Sequence, residues 1–137
     1  MGAWGHKPFE NDSALDWFNV VEGVETVAET LAFAAEFDPD EYLDSDDGFA
    51  AIAAATLVAA AFDGDPTLLP GAQRRWLQRT AAHFGSAEAQ LAVRAVARVR
   101  AENSELAELW AQLGDSEWHA LMQVLVARLS EFTGEGD

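Results

Sequence analysis

The stretch FAAIAAATLVAAAF, residues Phe49–Phe62, decides the fold. It contains 14 residues without a charge, and eight of them are alanine. Apolar side chains on every side are typical of a helix that is buried all round. A membrane-spanning helix needs about 20 apolar residues. The shorter run therefore predicts a central core helix from about Asp47 to Phe62, whose small side chains let neighbouring helices approach closely.

The remaining sequence predicts further helices around this one. Apolar residues recur every three or four positions, and no segment alternates for long enough with the period of two that a strand requires. We therefore predict an all-α fold, a compact bundle of about six to seven helices, in a single domain over residues 1–137. Besides the central helix, these are expected near residues 12–22, 24–37, 72–83, 86–102 and 116–132, with a short one between Ser104 and Gly114.

Local signals predict several helix ends and one apolar stripe. Asp12 or Ser13 is the expected cap of the first helix, and Ser86 that of the fifth. Gly85 is expected to end the fourth helix. Leu113 completes the predicted apolar stripe of the short sixth helix. These residues fix the expected boundaries between neighbouring elements.

Acidic residues dominate the first half of the chain. The net charge is −16: residues 1–70 hold 15 acids and one base, and residues 71–137 hold nine acids and seven arginines. Six of the arginines lie between Arg74 and Arg100. We expect no nucleic-acid binding, because phosphate repels the acidic half. A basic protein partner, or a homo-oligomer in which the acidic half meets the arginines, fits the charge better. The alternative is that the acidity only keeps the protein soluble.

Common catalytic and cofactor motifs are missing from the sequence. It contains no cysteine, which excludes a disulfide, a thiolate nucleophile and a cysteine zinc site. The three histidines have no metal-ligand spacing, and neither a phosphate-binding glycine loop nor a GxSxG motif occurs. We therefore expect no enzymatic activity, no cofactor and no metal. Since neither a signal sequence nor a membrane span is recognised, we expect a cytoplasmic location.

An acidic segment precedes the central helix. We predict that DPDEYLDSDDG, Asp38–Gly48, is a loop anchored in the core by Tyr42 and Leu43. Oxygen-rich loops can bind calcium, but the glycine does not stand where an EF-hand needs it. One interpretation is a contact face for a basic protein, as in an immunity protein or antitoxin that covers a basic toxin; a solvated loop is the other. The candidate partner-binding residues are Asp38, Asp40, Glu41, Asp44, Asp46 and Asp47.

Aromatic and polar side chains crowd the opening segment. Trp4, Phe9 and Trp17 would each contribute about 1.5–3 kcal/mol if buried. One interpretation is therefore that these aromatic residues attach the segment to the bundle. The polar residues would then cap the first helix, a contribution of about 1 kcal/mol. The other interpretation is a binding site for a small molecule or a sensed metal ion. That site would consist of Trp4, Asn11, Asp12 and Asp16.

The opening MGAWGHKPFENDSALDW resembles the start of the bacterial domain of unknown function 4259 family, whose members typically begin M-G-[AT]-W-G-x-G-x-F-[ED]-[ND]-D-x-A-x-D-W. The resemblance continues through EYLDSDDGFAAIAAA, Glu41–Ala55, and RVRAENSELAELW, Arg98–Trp110. Lys7 departs from the pattern, since the family usually has glycine there. The resemblance implies a small helical intracellular domain, and it brings no reaction, cofactor or catalytic residue.

Overall fold

Seven α-helices and one 3₁₀ turn form the part of the chain that the computed structural model describes, residues 7–114 and 116–134. This part contains no β-strand, and Leu43 and Ser104 form an isolated β-bridge. The prediction of an all-α bundle is confirmed. The helices are α1 Asp12–Asn19, α2 Val24–Ala35, α3 Ser45–Asp63, α4 Gly71–Thr80, α5 Ser86–Arg100, α6 Glu105–Leu113 and α7 Ser116–Ser130, with the 3₁₀ turn Ala81–His83 after α4.

Helix α3 lies at the centre of the bundle. All ten residues from Ala51 to Ala60 are buried, and each of the other six helices described packs against α3. The predicted central helix is thus confirmed. It begins at Ser45, two residues earlier than predicted, because the Asp44 carboxylate accepts a hydrogen bond from the Asp47 N–H and caps the helix.

By length and composition alone, α3 is apolar enough to cross a membrane. Its best 18-residue window has a mean hydropathy of 1.3. In the bundle, 67% of that window is buried inside the protein. The core helix of a globular protein can have the same length and mean hydropathy, because it too is apolar on every side.

Gly48 allows α5 and α6 to approach the start of α3. A Cβ atom at this position would lie 3.2 Å from the Cβ of Leu106 and 3.6 Å from a methyl group of Val99. The first of these distances is shorter than ordinary van der Waals contact. The beginning of α3 is therefore wedged between two helices, which fixes the acidic residues beside it.

The N-terminal ends of α1 and α5 differ from the prediction. Asn11, rather than Asp12 or Ser13, caps α1: its Oδ1 accepts from the Ala14 N–H at 2.7 Å. Gly85, rather than Ser86, is the residue before α5, and its N–H donates to the Glu88 carboxylate. Gly85 is thus the N-cap of α5 and not, as predicted, the end of the fourth helix; α4 ends at Thr80 and the 3₁₀ turn at His83.

Several helices are shorter than predicted. Helix α1 ends at Asn19 instead of near Glu22, and α2, α5 and α7 each end two residues early. Phe37 and Phe132 continue the apolar pattern but pack on the core from beyond α2 and α7, so periodicity alone overestimates the helix length. Leu113 is 62% exposed, which shows that the predicted stripe of α6 stops one turn earlier.

A row of aromatic rings attaches the segment before α1 to α4. Phe9 packs edge-on against Phe18 at a ring distance of 6.4 Å, and Phe18 packs against Trp76 at 5.8 Å. Trp76 in turn meets Phe84 at 6.3 Å. Such edge-to-face pairs contribute beyond their buried area. They hold α1 in a fixed position beside α3.

Enlarging a buried alanine of α3 tests its central role. Ala54→Leu is expected to lower the free energy of unfolding by about 1–3 kcal/mol, because the neighbouring helices leave no space for the added carbons. Ala97→Leu, on the exposed side of α5, is the matched control and is expected to change stability little. Urea unfolding followed by circular dichroism measures both. Equal stability of the two variants would contradict close packing around α3.

Candidate functional site

The predicted acidic loop consists of two parts. Residues 38–43 are irregular, whereas Asp44 is the N-cap of α3, and Asp46 and Asp47 lie in its first turn. The prediction of one loop over Asp38–Gly48 is therefore wrong. The physical reason is that aspartate favours both loops and helix caps, and here it accepts the hydrogen bond that starts a helix.

Arg98 holds the first part of the segment from inside the protein. Its side chain is only 7% exposed. The guanidinium donates to the carbonyl oxygens of Asp38 at 3.1 Å and Glu41 at 2.6 Å, and also to those of Glu102 and Asn103. Within the described residues, backbone carbonyls rather than a carboxylate compensate for this buried charge. Asp38 and Glu41 turn their carbonyls inward and remain exposed.

Leu43 and Tyr42, the two predicted anchors, differ in burial. Leu43 is buried, its N–H donates to the Asn103 carbonyl at 2.8 Å, and its carbonyl accepts from the Glu105 N–H at 2.9 Å. Tyr42 is 51% exposed, so the prediction that it anchors the loop in the core is wrong. Its hydroxyl instead donates to the Glu108 carboxylate at 2.7 Å, and this hydrogen bond raises the pKa of Tyr42 to about 12. Both residues attach the loop to α6 or its N-terminal turn.

A cleft of about 550 Å³ separates α1 from the start of α3. Asp12 and Asp16 line it from α1, and Asp46 and Asp47 line it from α3. The Ser13 hydroxyl donates to the Asp46 carboxylate at 2.6 Å and joins the two walls. The structure thus brings together residues that the sequence assigns to two separate candidate sites.

An aromatic hollow of about 280 Å³ continues from this cleft toward α2. Trp17, Asp47 and Ala50 line both the cleft and the hollow, while Glu29 and Phe33 line the hollow alone. We call the cleft and the hollow together the acidic groove. It runs from the four aspartates of the cleft to the two aromatic rings of the hollow.

The Trp17 ring is held in place within the groove. Its Nε1–H donates to the Thr30 hydroxyl at 2.8 Å, and that hydroxyl donates to the Thr26 carbonyl at 3.0 Å. A ring tied to a neighbouring helix loses little freedom when a ligand packs against it. The groove therefore has one aromatic wall that is already oriented.

Asp47 is the most perturbed carboxylate of the groove. Burial raises its pKa, and the nearby charges of Asp44 and Asp46 act in the same direction. The folded chain therefore binds this proton more tightly than the unfolded chain does, so the ionised form destabilises the fold. A cation in the groove would favour the ionised form.

The four predicted ligand-binding residues differ in where they lie. Asn11 is buried, and both ends of its amide bond the backbone: Oδ1 accepts from Ala14, and Nδ2 donates to the Pro8 carbonyl at 3.1 Å. Asn11 therefore acts as the cap of α1, and its amide does not line the groove. Trp4 lies outside the described residues. Asp12 and Asp16 are the members of that set that line the groove.

The groove carboxylates do not cluster as a set of three metal ligands. Across residues 7–114 and 116–134, no three histidine, aspartate or glutamate side chains converge as metal ligands. The four aspartates of the cleft, Asp12, Asp16, Asp46 and Asp47, form no ion pair in this part of the chain. Asp16 and Asp46 are exposed, while Asp12 and Asp47 are partly buried at the edge of the open cleft.

The arginines of the second half lie in different environments. Arg74, Arg75 and Arg79 lie on α4, and Arg98 is buried in α5. Arg128 pairs with Asp63 at 2.6 Å, and this hydrogen bond lowers the pKa of Asp63.

Sequence reasoning missed Arg98 and Phe33 as contributors to the acidic region. The sequence does contain a signal for Arg98. The residue three positions before it, Ala95, and the residue after it, Val99, are both core residues.

The sequence comparisons agree with the resemblance of the opening segment. The family described as domain of unknown function (DUF4259) matches residues 2–120. The chain belongs to this family. Neither a curated protein nor a solved structure matches the chain. The DUF4259 match includes every residue of the acidic groove and Arg98, while Arg128 lies beyond it.

Loss of Arg98 is expected to destabilise the protein. Arg98→Leu removes the guanidinium donor from four carbonyl oxygens, of which those of Asp38 and Asn103 keep a backbone N–H donor. We expect a cost of about 1–3 kcal/mol for the lost hydrogen bonds. Arg94→Leu removes an exposed arginine from the same helix and is the matched control. Urea unfolding compares the two variants. The assigned role would be wrong if both lost equal stability.

Asp47→Asn is expected to raise Tm near neutral pH, because it removes a carboxylate that burial destabilises. The gain should shrink as the pH falls through the carboxyl range, where the wild-type Asp47 itself becomes neutral. Thermal unfolding by circular dichroism across this range measures the difference. Asp40→Asn, at an exposed position of the loop, is the control. A gain that is independent of pH would contradict the electrostatic cause.

Proposed function

We propose that this protein is a non-enzymatic interaction module that binds a basic protein partner through its acidic surface. That surface consists of the acidic groove and the adjoining exposed loop. The observation that carries the proposal is the meeting of aspartates from α1 and α3 in one open cleft without a cationic partner among the described residues.

The uneven charge supports a basic partner. Residues 1–70 have 15 acids and one base, so the groove lies in a strongly negative half of the sequence. Complementary charge steers association and disfavours like-charged partners. Arg98 already fixes the backbone of the loop that carries the exposed carboxylates. The loop backbone therefore needs little further ordering when a partner binds.

An immunity- or antitoxin-like role is the concrete form of this proposal. In this role the acidic surface covers the basic active site of a toxin, and the complex forms in the cytoplasm of a bacterium. Small size and strong acidity suit such a role, because rapid, charge-steered association protects the producing cell.

A second candidate is a protein that binds a small cationic molecule or responds to a metal ion in the same groove. The oriented Trp17 ring beside Asp16 and Asp47 supports it. A cationic metabolite that binds the folded protein would raise Tm. Self-association is a further alternative, in which the acidic surface meets α4 of another copy, and raised salt would dissociate it.

Affinity purification from the native host tests the proposal. The target variant combines Asp16→Asn with Glu41→Lys, since neither side chain supports the helix caps. The control combines Gln123→Lys with Glu131→Lys, both exposed in or after α7, and changes the net charge equally. We expect one basic protein to co-purify in near-equal amount with wild type and control at low salt, and to be lost from the target variant.

Two results would contradict the proposal. One is an eluate at low salt that contains no basic protein in near-equal amount. The other is equal recovery with the target and control variants, which would mean that the acidic surface is not the contact. Circular dichroism of all variants establishes that each retains its helical fold.

A further inference from the structure

Phe33 and Phe37 form an aromatic pair in which, among the described residues, a cation lies over the Phe37 ring only. Their ring centroids are 5.5 Å apart. From inside the protein, the guanidinium carbon of Arg98 lies 5.4 Å from the centre of the Phe37 ring. Phe33 is 52% exposed and faces no internal cation in the described residues, yet it lines the aromatic hollow. The fold thus has one occupied cation–π position beside one open ring.

The open ring lies in an acidic setting. Trp17 lines the same hollow, and the carboxylates of Glu29 and Asp47 lie at its margin. A cation is attracted both by aromatic faces and by carboxylates, and the two attractions act together when the site excludes part of the water. An anionic or neutral partner would gain only one of these contacts or none.

The shape of the groove suits a protein segment. The hollow, about 280 Å³ in volume, opens into the larger cleft of about 550 Å³. A peptide backbone can therefore lie in the cleft while one side chain enters the hollow. Arginine fits best, because its planar guanidinium stacks on rings and donates in a fork to carboxylates.

We propose that the aromatic hollow of the acidic groove receives an arginine side chain of the basic protein partner, held against Trp17 and Phe33 and hydrogen-bonded to Asp47. This inference rests on the proposed function and names the anchor of its interface. An arginine contributes most to affinity when it is buried at the centre of an interface. The partner is therefore expected to present an arginine on a protruding segment.

The half-buried carboxylate of Asp47 agrees with this arrangement. Its pKa is raised by burial and by Asp44, so the free protein bears an electrostatic penalty there. A guanidinium in the hollow would offset that penalty. Because the Trp17 ring is already tied to Thr30, the site needs little rearrangement to receive it.

Titration of the whole protein with short peptides tests the inference. The probe is the capped peptide acetyl-Gly-Arg-Gly-Arg-Gly-amide, and its lysine counterpart is the comparison. Isothermal titration calorimetry at low salt gives Kd, and the Trp17 indole N–H signal in NMR reports the site. We expect the arginine peptide to bind more tightly than the lysine peptide and to shift that signal.

Variants of the two rings separate stacking from charge. Phe33→Leu and Trp17→Leu keep an apolar side chain but remove the aromatic face, and Trp17→Leu also removes the hydrogen bond to Thr30. Each is expected to raise Kd about fivefold. Phe132→Leu removes a partly buried ring after α7, outside the acidic surface, and should leave Kd unchanged. If Trp17→Leu loses its fold, Phe33→Leu and the indole signal of the wild type still decide.

Three results would overturn the inference. Unchanged Kd in both ring variants would mean that charge alone attracts the peptide, and the proposed acidic interface would stand without this anchor. Argininamide that binds as tightly as the peptide would indicate a free cation rather than a protein segment. No binding of the arginine peptide would exclude the anchor, while the co-purification experiment would still test the interface itself.

Discussion

The close packing of helices around the alanines of α3 is the constraint on which the rest of the structure depends. Because the side chains from Ala51 to Ala60 are small or buried on every side, six helices contact one helix directly. Gly48 extends this close approach to the end of α3 that carries Asp46 and Asp47. Helices α1 and α2 both lie against that end, and the groove between them follows from their shared neighbour.

A buried cation organises the surface beside the groove. Arg98 points into the protein and binds carbonyl oxygens on both sides, so the segment before α3 and the turn before α6 are joined without a carboxylate. This arrangement leaves the acidic side chains free on the outside. The protein thus stabilises an acidic loop from below while its negative charge remains exposed to a partner.

The sequence predicts the helices well and the groove poorly, for a physical reason. Local periodicity identifies every helix and the central position of α3, since each of these depends on neighbouring residues. The groove depends on contacts such as Ser13 with Asp46, which are 33 positions apart. Local chemistry is also ambiguous where two roles compete: Asn11 and Asp44 have the residue types of ligands, yet both act as helix caps. Arg98 is hidden for the opposite reason, because a charged residue is expected outside.

The hydrogen bond between Ser13 and Asp46 helps to maintain the acidity of the groove. It joins the first turns of α1 and α3, so the positive ends of two helix dipoles meet at one place. Asp12 and Asp46 lie in those turns, where a negative charge stabilises the helix that carries it. Neutralising them would weaken the helices as well as the surface charge. Selection for folding alone therefore preserves part of the charge that binding would use.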